Sequence, residues 1–447
     1  MNSDVEKVKL YSKTLGAVLR INSNSENDSK TKNLEFPLSI PEYQRIYCWQ
    51  EKNVFRLLED ILNSEGKFYH LGTIILHHTK KNDYSIVDGQ QRLVTLALFL
   101  QKLAETNVWN DEQLESELLN QKFESEEAQR YIAYNKFIIE NWVTKHGTQL
   151  AINFKDNLIF SVLVISDDTL DLAYTFFSNQ NSRGKALTDY DLLKAHHLRF
   201  ITSQEQSRHL ADRWDAILLS SNNDAKDKDL GRTLGLYIFR LRKWMRKREW
   251  NDFEKYKVKN EFEAADTISE IPPFGENFYF YESIQGGAHF FGFVDYFIYR
   301  FNSFSKLPEY ECLQAYLGRE THWWYRDAIE CLLFGYFLKF GTMYLTEAFI
   351  CIEQLISQHR YDTGRSSLNS VLVHSKNLEI IMMIDQATSP TFFLAEALQK
   401  IKALSTIKKE ELQGIRKRYY DNIKSIYKKI LRNDNIIESI KKYTEEE

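Results

Sequence analysis

The stretch Tyr84-Ser85-Ile86-Val87-Asp88-Gly89-Gln90-Gln91-Arg92-Leu93 is where residue types and spacing best suit chemistry. A short apolar run delivers an Asp-Gly turn, and three polar side chains follow at the start of an apolar helix. A helix N-terminus exposes unpartnered backbone N–H groups and carries partial positive charge, so it attracts anions. Gly89 lets the main chain approach a ligand closely. Arg92 offers a two-pronged guanidinium to a phosphate. Gln90 or Gln91 can orient an attacking water, and Asp88 can hold a water bound to Mg2+. The plain alternative is a common Asp-Gly turn in which Asp88 caps a solvated first turn.

Three further stretches carry suitable residue types. In Pro41-Glu42-Tyr43-Gln44-Arg45-Ile46-Tyr47-Cys48-Trp49 a cation lies among aromatics, able to stack on a base or pair with a phosphate. In Phe176 to Leu187 a helix gives way to a polar loop with Asn181, Arg183, Gly184 and Lys185, and Thr188 or Asp189 caps the next helix. Taken alone, both read first as packing: an Arg over an aromatic edge, and a helix corner with Gly184 as its left-handed cap. Arg240, Arg242, Lys243, Arg246, Lys247 and Arg248 sit with Trp244 and Trp250. That composition suits phosphate contact with base stacking. It suits equally a solvated face whose cations pair with Glu249 and Asp252.

These side chains need elements to hold them. Val54, Leu57, Leu58 and Ile61 recur at helical spacing; His70–His77 and Tyr84–Val87 read as strands around a Lys80–Asp83 turn; Leu93–Leu103 reads as a buried helix. Phe36–Tyr47 reads as extended segments, and Leu158–Ile165 as a further strand. From Asp168 onward nearly everything has helical period, ending in a charged amphipathic helix or helix pair over Lys402–Lys442. The fold class predicted is α+β: a small N-terminal sheet domain followed by a mainly helical bundle.

Composition agrees. The 447 residues suffice for two or three domains, and 6 prolines leave long helices unbroken. A net charge of −4 argues against a general nucleic-acid coating protein and leaves local basic patches open. Cys48, Cys312, Cys331 and Cys351 form no Cys-x-x-Cys pair, so free thiols in a reducing cytoplasm are expected. Met1–Leu15 is polar, without a signal-peptide core. The apolar run Cys331–Ile352 contains Lys339 and Glu347, which favours a buried core helix over a membrane span.

Four motifs in order, Ile-Pro-x-Tyr-Gln-Arg-x-Tyr-x-Trp, Leu-Gly-Thr-Ile-Ile-Leu, Ile-Val-Asp-Gly-Gln-Gln-Arg-Leu-Val-Thr-Leu and Gln-Asn-Ser-Arg-Gly-Lys-x-Leu-x-x-x-Asp-Leu-Leu-Lys, together resemble domain-of-unknown-function family 262, which includes the GmrSD-type restriction and phage-defence proteins. The resemblance covers residues 10 to 200 firmly and extends more loosely towards Pro390. It implies a ParB/sulfiredoxin-like fold for 10–105, then a helical domain over 106–265 and a C-terminal helical domain over 266–447. It also implies nucleoside-triphosphate binding and hydrolysis aided by a divalent cation. Asp88, Gln90, Gln91 and Arg92 would be the core site, with Asp88 on the metal and Gly89, Tyr43, Gln44, Arg45, Asn181, Arg183 and Lys185 around the nucleotide.

Many relatives carry a His-Asn-His nuclease with a Pro soon after its His. His289, His322, His359 and His374 have none nearby. The expectation is therefore a cytoplasmic NTPase that works with a partner effector or nuclease subunit and contacts or senses DNA. Two rival readings stay open: a non-catalytic sensor of nucleotide or modified DNA, and a nuclease acting through the same pocket. The loop Asn179–Lys185 is expected to fold back over Asp88–Arg92, because one guanidinium matches a triphosphate's charge poorly.

Overall fold

Strand-forming segments at both ends of the first two hundred residues converge on one sheet. The computed structural model describes residues 8–21, 28–78, 82–106, 117–120, 123, 125–150, 154–166, 171–179, 187–220, 230–263, 279–405, 407 and 409–431. The chain divides into two compact units, Met1–Leu219 and Ser220–Glu447.

In the first unit, strands β1 (Val8–Thr14), β2 (Leu38–Ser39), β3 (Tyr69–His78), β4 (Tyr84–Asp88) and β5 (Leu158–Ile165) form a mixed sheet in the order β1-β5-β3-β4-β2. β5 pairs antiparallel with β1 and parallel with β3, and β4 pairs antiparallel with β3 and parallel with β2. The β-branched runs explain the central positions, since Ile74, Ile75 and Leu76 of β3 and Phe160, Val162 and Val164 of β5 are buried. The sheet unit thus extends beyond residue 105: β5, far downstream, lies between β1 and β3. The Phe36–Tyr47 segment is less extended than its aromatic and proline content suggests; only Leu38–Ser39 is strand, and side chains hold the rest.

Helix α1 (Glu51–Asn63) buries Val54, Leu57, Leu58 and Ile61, the stripe its spacing predicts. α2 (Gln90–Glu105) follows β4 directly and is buried along most of its length. α3 (Glu126–His146) covers it, with Phe99 edge-on to Trp142 at 5.8 Å. α4 (Asp171–Asn179), α5 (Asp189–Leu198) and α6 (Gln204–Ser220) complete the unit. Thr188 caps α5 in a reciprocal capping box with Asp191.

The described part of the second unit is helical. A π-helical stretch, Gly231–Ile238, runs into α7 (Phe239–Met245). α8 (Ala288–Phe304), α9 (Pro308–Leu317), α10 (His322–Phe340), α11 (Leu345–Asp362), α12 (Leu368–Asn377), α13 (Ile380–Gln386), α14 (Pro390–Lys402) and α15 (Gly414–Ile430) follow. The apolar run Cys331–Ile352 is two helices, not one. Gly341 at φ 63 and Tyr344 at φ 50 turn the chain between α10 and α11. Among the described residues no helix is long and apolar enough to cross a membrane. The C-terminal amphipathic segment is α15 as far as it is described, with Tyr419, Ile423 and Ile426 buried.

Candidate functional site

β4 ends at Asp88, and α2 begins one residue later. Gly89 joins them at φ 100, a left-handed conformation that a side chain would strain; an added Cβ would also meet Ile74 Cγ2 at 2.6 Å. Gly89 is the N-cap and has no side chain to satisfy the first N–H groups of α2, so this helix end is left for another acceptor. Asp88 sits beside it, its side chain 40% exposed and 3.6 Å from Arg92 Nη2. Burial raises the Asp88 carboxyl above its ordinary range; Arg92, the Gly89 N–H and Arg45 pull the other way. Arg45, from the second motif, therefore acts on the Asp88 turn.

The four polar letters do different work. Gln90 is 4% exposed, and its Oε1 is buried without a partner. Gln91 is committed: Oε1 accepts from the Cys48 N–H at 2.9 Å, and Nε2 donates to Ile46 O at 3.1 Å. Its expected water-orienting role is corrected to holding the second motif in place. Arg92 is also committed. Nη1 donates to Leu71 O at 2.8 Å and Nη2 to Thr73 O at 2.6 Å, a fork closed on the β3 main chain. The β3–β5 register shifts between His70 and Gly72, and a Cβ at Gly72 would run into the guanidinium. Two of the five guanidinium N–H donors expected to face phosphate thus hold strand carbonyls.

The second motif is wired to the first. Gln44 Nε2 donates to Ile86 O at 2.8 Å and Val87 O at 2.7 Å, fixing the end of β4 immediately before Asp88. Tyr47 Oη and Thr95 Oγ1 lie 2.7 Å apart, and Asn135 Nδ2 donates to Tyr47 Oη at 2.9 Å and to Trp49 O at 2.8 Å. Tyr43 is buried, and burial pushes its hydroxyl pKa well up. Gln44 thus supports the turn through its amide N–H groups.

Of the third motif, Asn181, Arg183 and Lys185 lie outside the described residues, as does the expected fold-back of their loop. The helix after that loop, α5, does reach the site. Its Lys194 is 2% exposed; Nζ contacts Asp215 Oδ1 and Oδ2 at 2.9 and 2.8 Å and donates to Gln44 O at 3.1 Å. Lys194 closes the same Gln-Asn-Ser-Arg-Gly-Lys motif, so its letter was in view. Asp215, Thr95 and Asn135 carried no local signal, because their partners are far away in the chain.

The basic stretch at α7 is divided: Arg240 and Arg242 are buried, Lys243 is half-buried, and Arg246, Lys247 and Arg248, just past the helix, are exposed. Arg240 is 1% exposed, lies 4.1 Å from the Trp250 ring centre and donates to Asp327 O at 3.0 Å. Arg242 pairs with Glu261 at 2.5 Å and donates to Phe280 O and Glu282 O. Lys243 pairs with Glu254, Arg246 with Glu261 at 2.6 Å and Lys247 with Glu379 at 2.5 Å. Of the residues expected to face nucleic acid, Arg240 and Arg242 are buried, whereas Arg246 and Lys247 are exposed and each is paired with a carboxylate.

A sheet unit whose strand–turn–helix presents Asp-Gly-Gln-Gln-Arg, braced by a Tyr-Gln-Arg segment, defines an α+β domain built around one turn. Residues 23–198 match the family described as GmrSD restriction endonuclease, N-terminal domain. The match spans all four motifs and ends with α5; β1 completes the sheet from outside it. Residues 206–413 match a family of unknown function (DUF7834), which assigns no chemistry to the second unit. No curated protein matches the chain.

Proposed function

We propose that the first unit binds and hydrolyses a nucleoside triphosphate in a prokaryotic restriction or anti-phage system, with the phosphates at the N-terminus of α2. The observation that carries this reading is Gln90. A buried amide oxygen without a partner, at a helix start with no side-chain cap, is a polar site lacking its complement. Asp88 and Gln90 contribute oxygen atoms only, the donors that Mg2+ prefers. They are too few to cage a cation alone, which suits an ion carried in on the triphosphate. Arg45, within electrostatic reach of Asp88, is the cation best placed for phosphate. Arg92, Gln91, Gln44 and Lys194 hold the turn in shape. The GmrSD description supports a restriction setting; partnership with an effector and contact with DNA belong to the same proposal.

The test is Mg2+-dependent phosphate release and nucleotide binding by the purified chain. Arg45→Ala should weaken binding about tenfold, the size of one charge-assisted contact, with the fold intact. Asp88→Asn should abolish the Mg2+ dependence. Wild-type protein that binds no nucleoside triphosphate would refute the reading. Binding without release would leave a sensor, and DNA cleavage lost in Asp88→Asn would make the site a nuclease.

A further inference from the structure

Among the described residues, the second unit buries an arginine that has no carboxylate partner. Arg360, near the end of α11, is 4% exposed. Its Nη1 donates to Ser366 Oγ at 3.1 Å, while Nε and Nη2 are buried without an acceptor. Among the described residues no carboxylate lies within ion-pair distance of it. Every other deeply buried Arg described in this unit has a firmer partner: Arg242 a carboxylate, Arg240 a main-chain carbonyl and a Trp face.

The surroundings add donors rather than acceptors. Arg360 lies 5.7 Å from the centre of the Tyr325 ring, and Tyr325 Oη bonds His359 Nδ1 and Ser366 Oγ, both at 2.9 Å. His322 is 2% exposed, with Nδ1 buried and unpartnered. It packs at 5.2 Å against Tyr419, which lies 5.2 Å from Tyr325. Burial, and then the charge of Arg360 among other neighbours, lowers the pKa of both His322 and His359. Arg416 approaches the adjoining loop at Gly364. Glu320 is already paired with Arg418 at 3.2 Å and lies 3.7 Å from His322. Asp362 accepts from Gln358 at 2.9 Å.

An isolated buried charge is costly, and proteins hold one only where a partner neutralises it. We infer that Arg360, Ser366 and His322 form a binding site for a phosphate-type oxyanion, entered from the loop 363–367, most of which is exposed. The ligand supplies the missing negative charge: its oxygens take the free Nε–H and Nη2–H bonds of Arg360, and the His322 ring donates as a third contact. Arg416 and Arg418 draw the anion in. A tetrahedral oxyanion fits better than a carboxylate, because the donors come from separate elements, α10, α11 and the loop before α12.

The test uses the full chain with inorganic phosphate as the probe, and it separates this site from the α2 turn. Phosphate should raise the wild-type melting temperature saturably, by about 3 °C or more. In Arg360→Met the phosphate effect should vanish, while stability without phosphate holds or rises, since a buried unpaired charge has gone. A merely structural arginine would instead give a phosphate-independent loss of stability. The Arg360-dependent part of the effect should persist in Arg45→Ala, which separates it from phosphate held at the α2 turn. Should Arg360→Met fail to fold, phosphorus NMR line broadening of inorganic phosphate by wild type, weakened severalfold in Ser366→Ala, carries the same test. No saturable effect on wild type, or an equal effect in the altered protein, overturns the site.

Discussion

The two units bury different kinds of polar group. In the first, the deeply buried polar side chains described are amides, hydroxyls, imidazoles and one lysine, and around the turn most of them bond main chain: Gln44 to β4, Gln91 to the 46–48 segment, Asn135 to Trp49 O. In the second, Glu309, Asp327, Glu330 and Glu353 are buried along with Arg240, Arg242 and Arg360. Side chains there often answer side chains, as where Arg232, Tyr237 and Gln314 all reach Glu330. Neutral groups aimed at main chain fix the course of an irregular segment and are indifferent to pH near neutrality. Buried charges fix helix against helix, and their worth depends on protonation.

Substitutions can break that contrast. The largest effect should come from Arg92→Ala, which orphans Leu71 O and Thr73 O; a loss of about 3 kcal/mol or more in urea unfolding is expected. Arg92→Lys should recover only part, because an ammonium cannot fork. An unchanged midpoint would mean the fork contributes nothing. Lys194→Met should cost about 2 kcal/mol by stranding Asp215, and the double change with Asp215→Leu should restore most of it. If the double change is no better, the lysine matters mainly through Gln44 O. Gly89→Ala should cost about 1–2 kcal/mol from left-handed strain and contact with Ile74.

A further effect sharpens the comparison through pH. Burial raises the Glu353 carboxyl from its ordinary value to about 7, opposed by hydrogen bonds from Ser357 and Tyr427. The folded state thus holds a proton that the unfolded state has released. Its stability contribution is full below the unfolded pKa, near 4.5, and is lost as pH rises towards 7. The slope is at most about 1.4 kcal/mol per pH unit. Glu353→Gln should flatten the decline in second-unit stability between pH 5 and pH 7 without altering the first unit. An identical pH profile in the two proteins would show that Glu353 is not the group responsible.

Where pattern is local, the sequence was readable. The compact apolar runs of β3 and β4, the stripe of α1 and the Asp-Gly start of α2 all follow from composition, period and turn chemistry. β5 was readable as a strand but not as a neighbour of β1 and β3, because pairing is decided by residues far away. β1 itself carried no clear signal; Leu10 and Tyr11 are exposed on an edge. At the site, motif letters gave residue types and not targets. Gln91 and Arg92 look like ligand contacts until the carbonyls they hold are seen. Arg240 and Arg242 looked like surface because basic residues usually are, and only the fold reveals Trp250 and Glu261 beside them.

The place of β5 has a consequence for how the chain is made. During synthesis β1, β3 and β4 emerge long before Leu158–Ile165, the strand that must lie between β1 and β3. Until Ile165 clears the ribosome, β3 keeps one edge unpaired and β1 has no partner at all. A nascent chain in that condition exposes an apolar strand edge, the feature most prone to join a neighbouring chain. Slow passage through the intervening helical stretch, α3 included, would lengthen that exposure, so the yield of folded protein in the cell should depend on how quickly residues after Glu105 are translated.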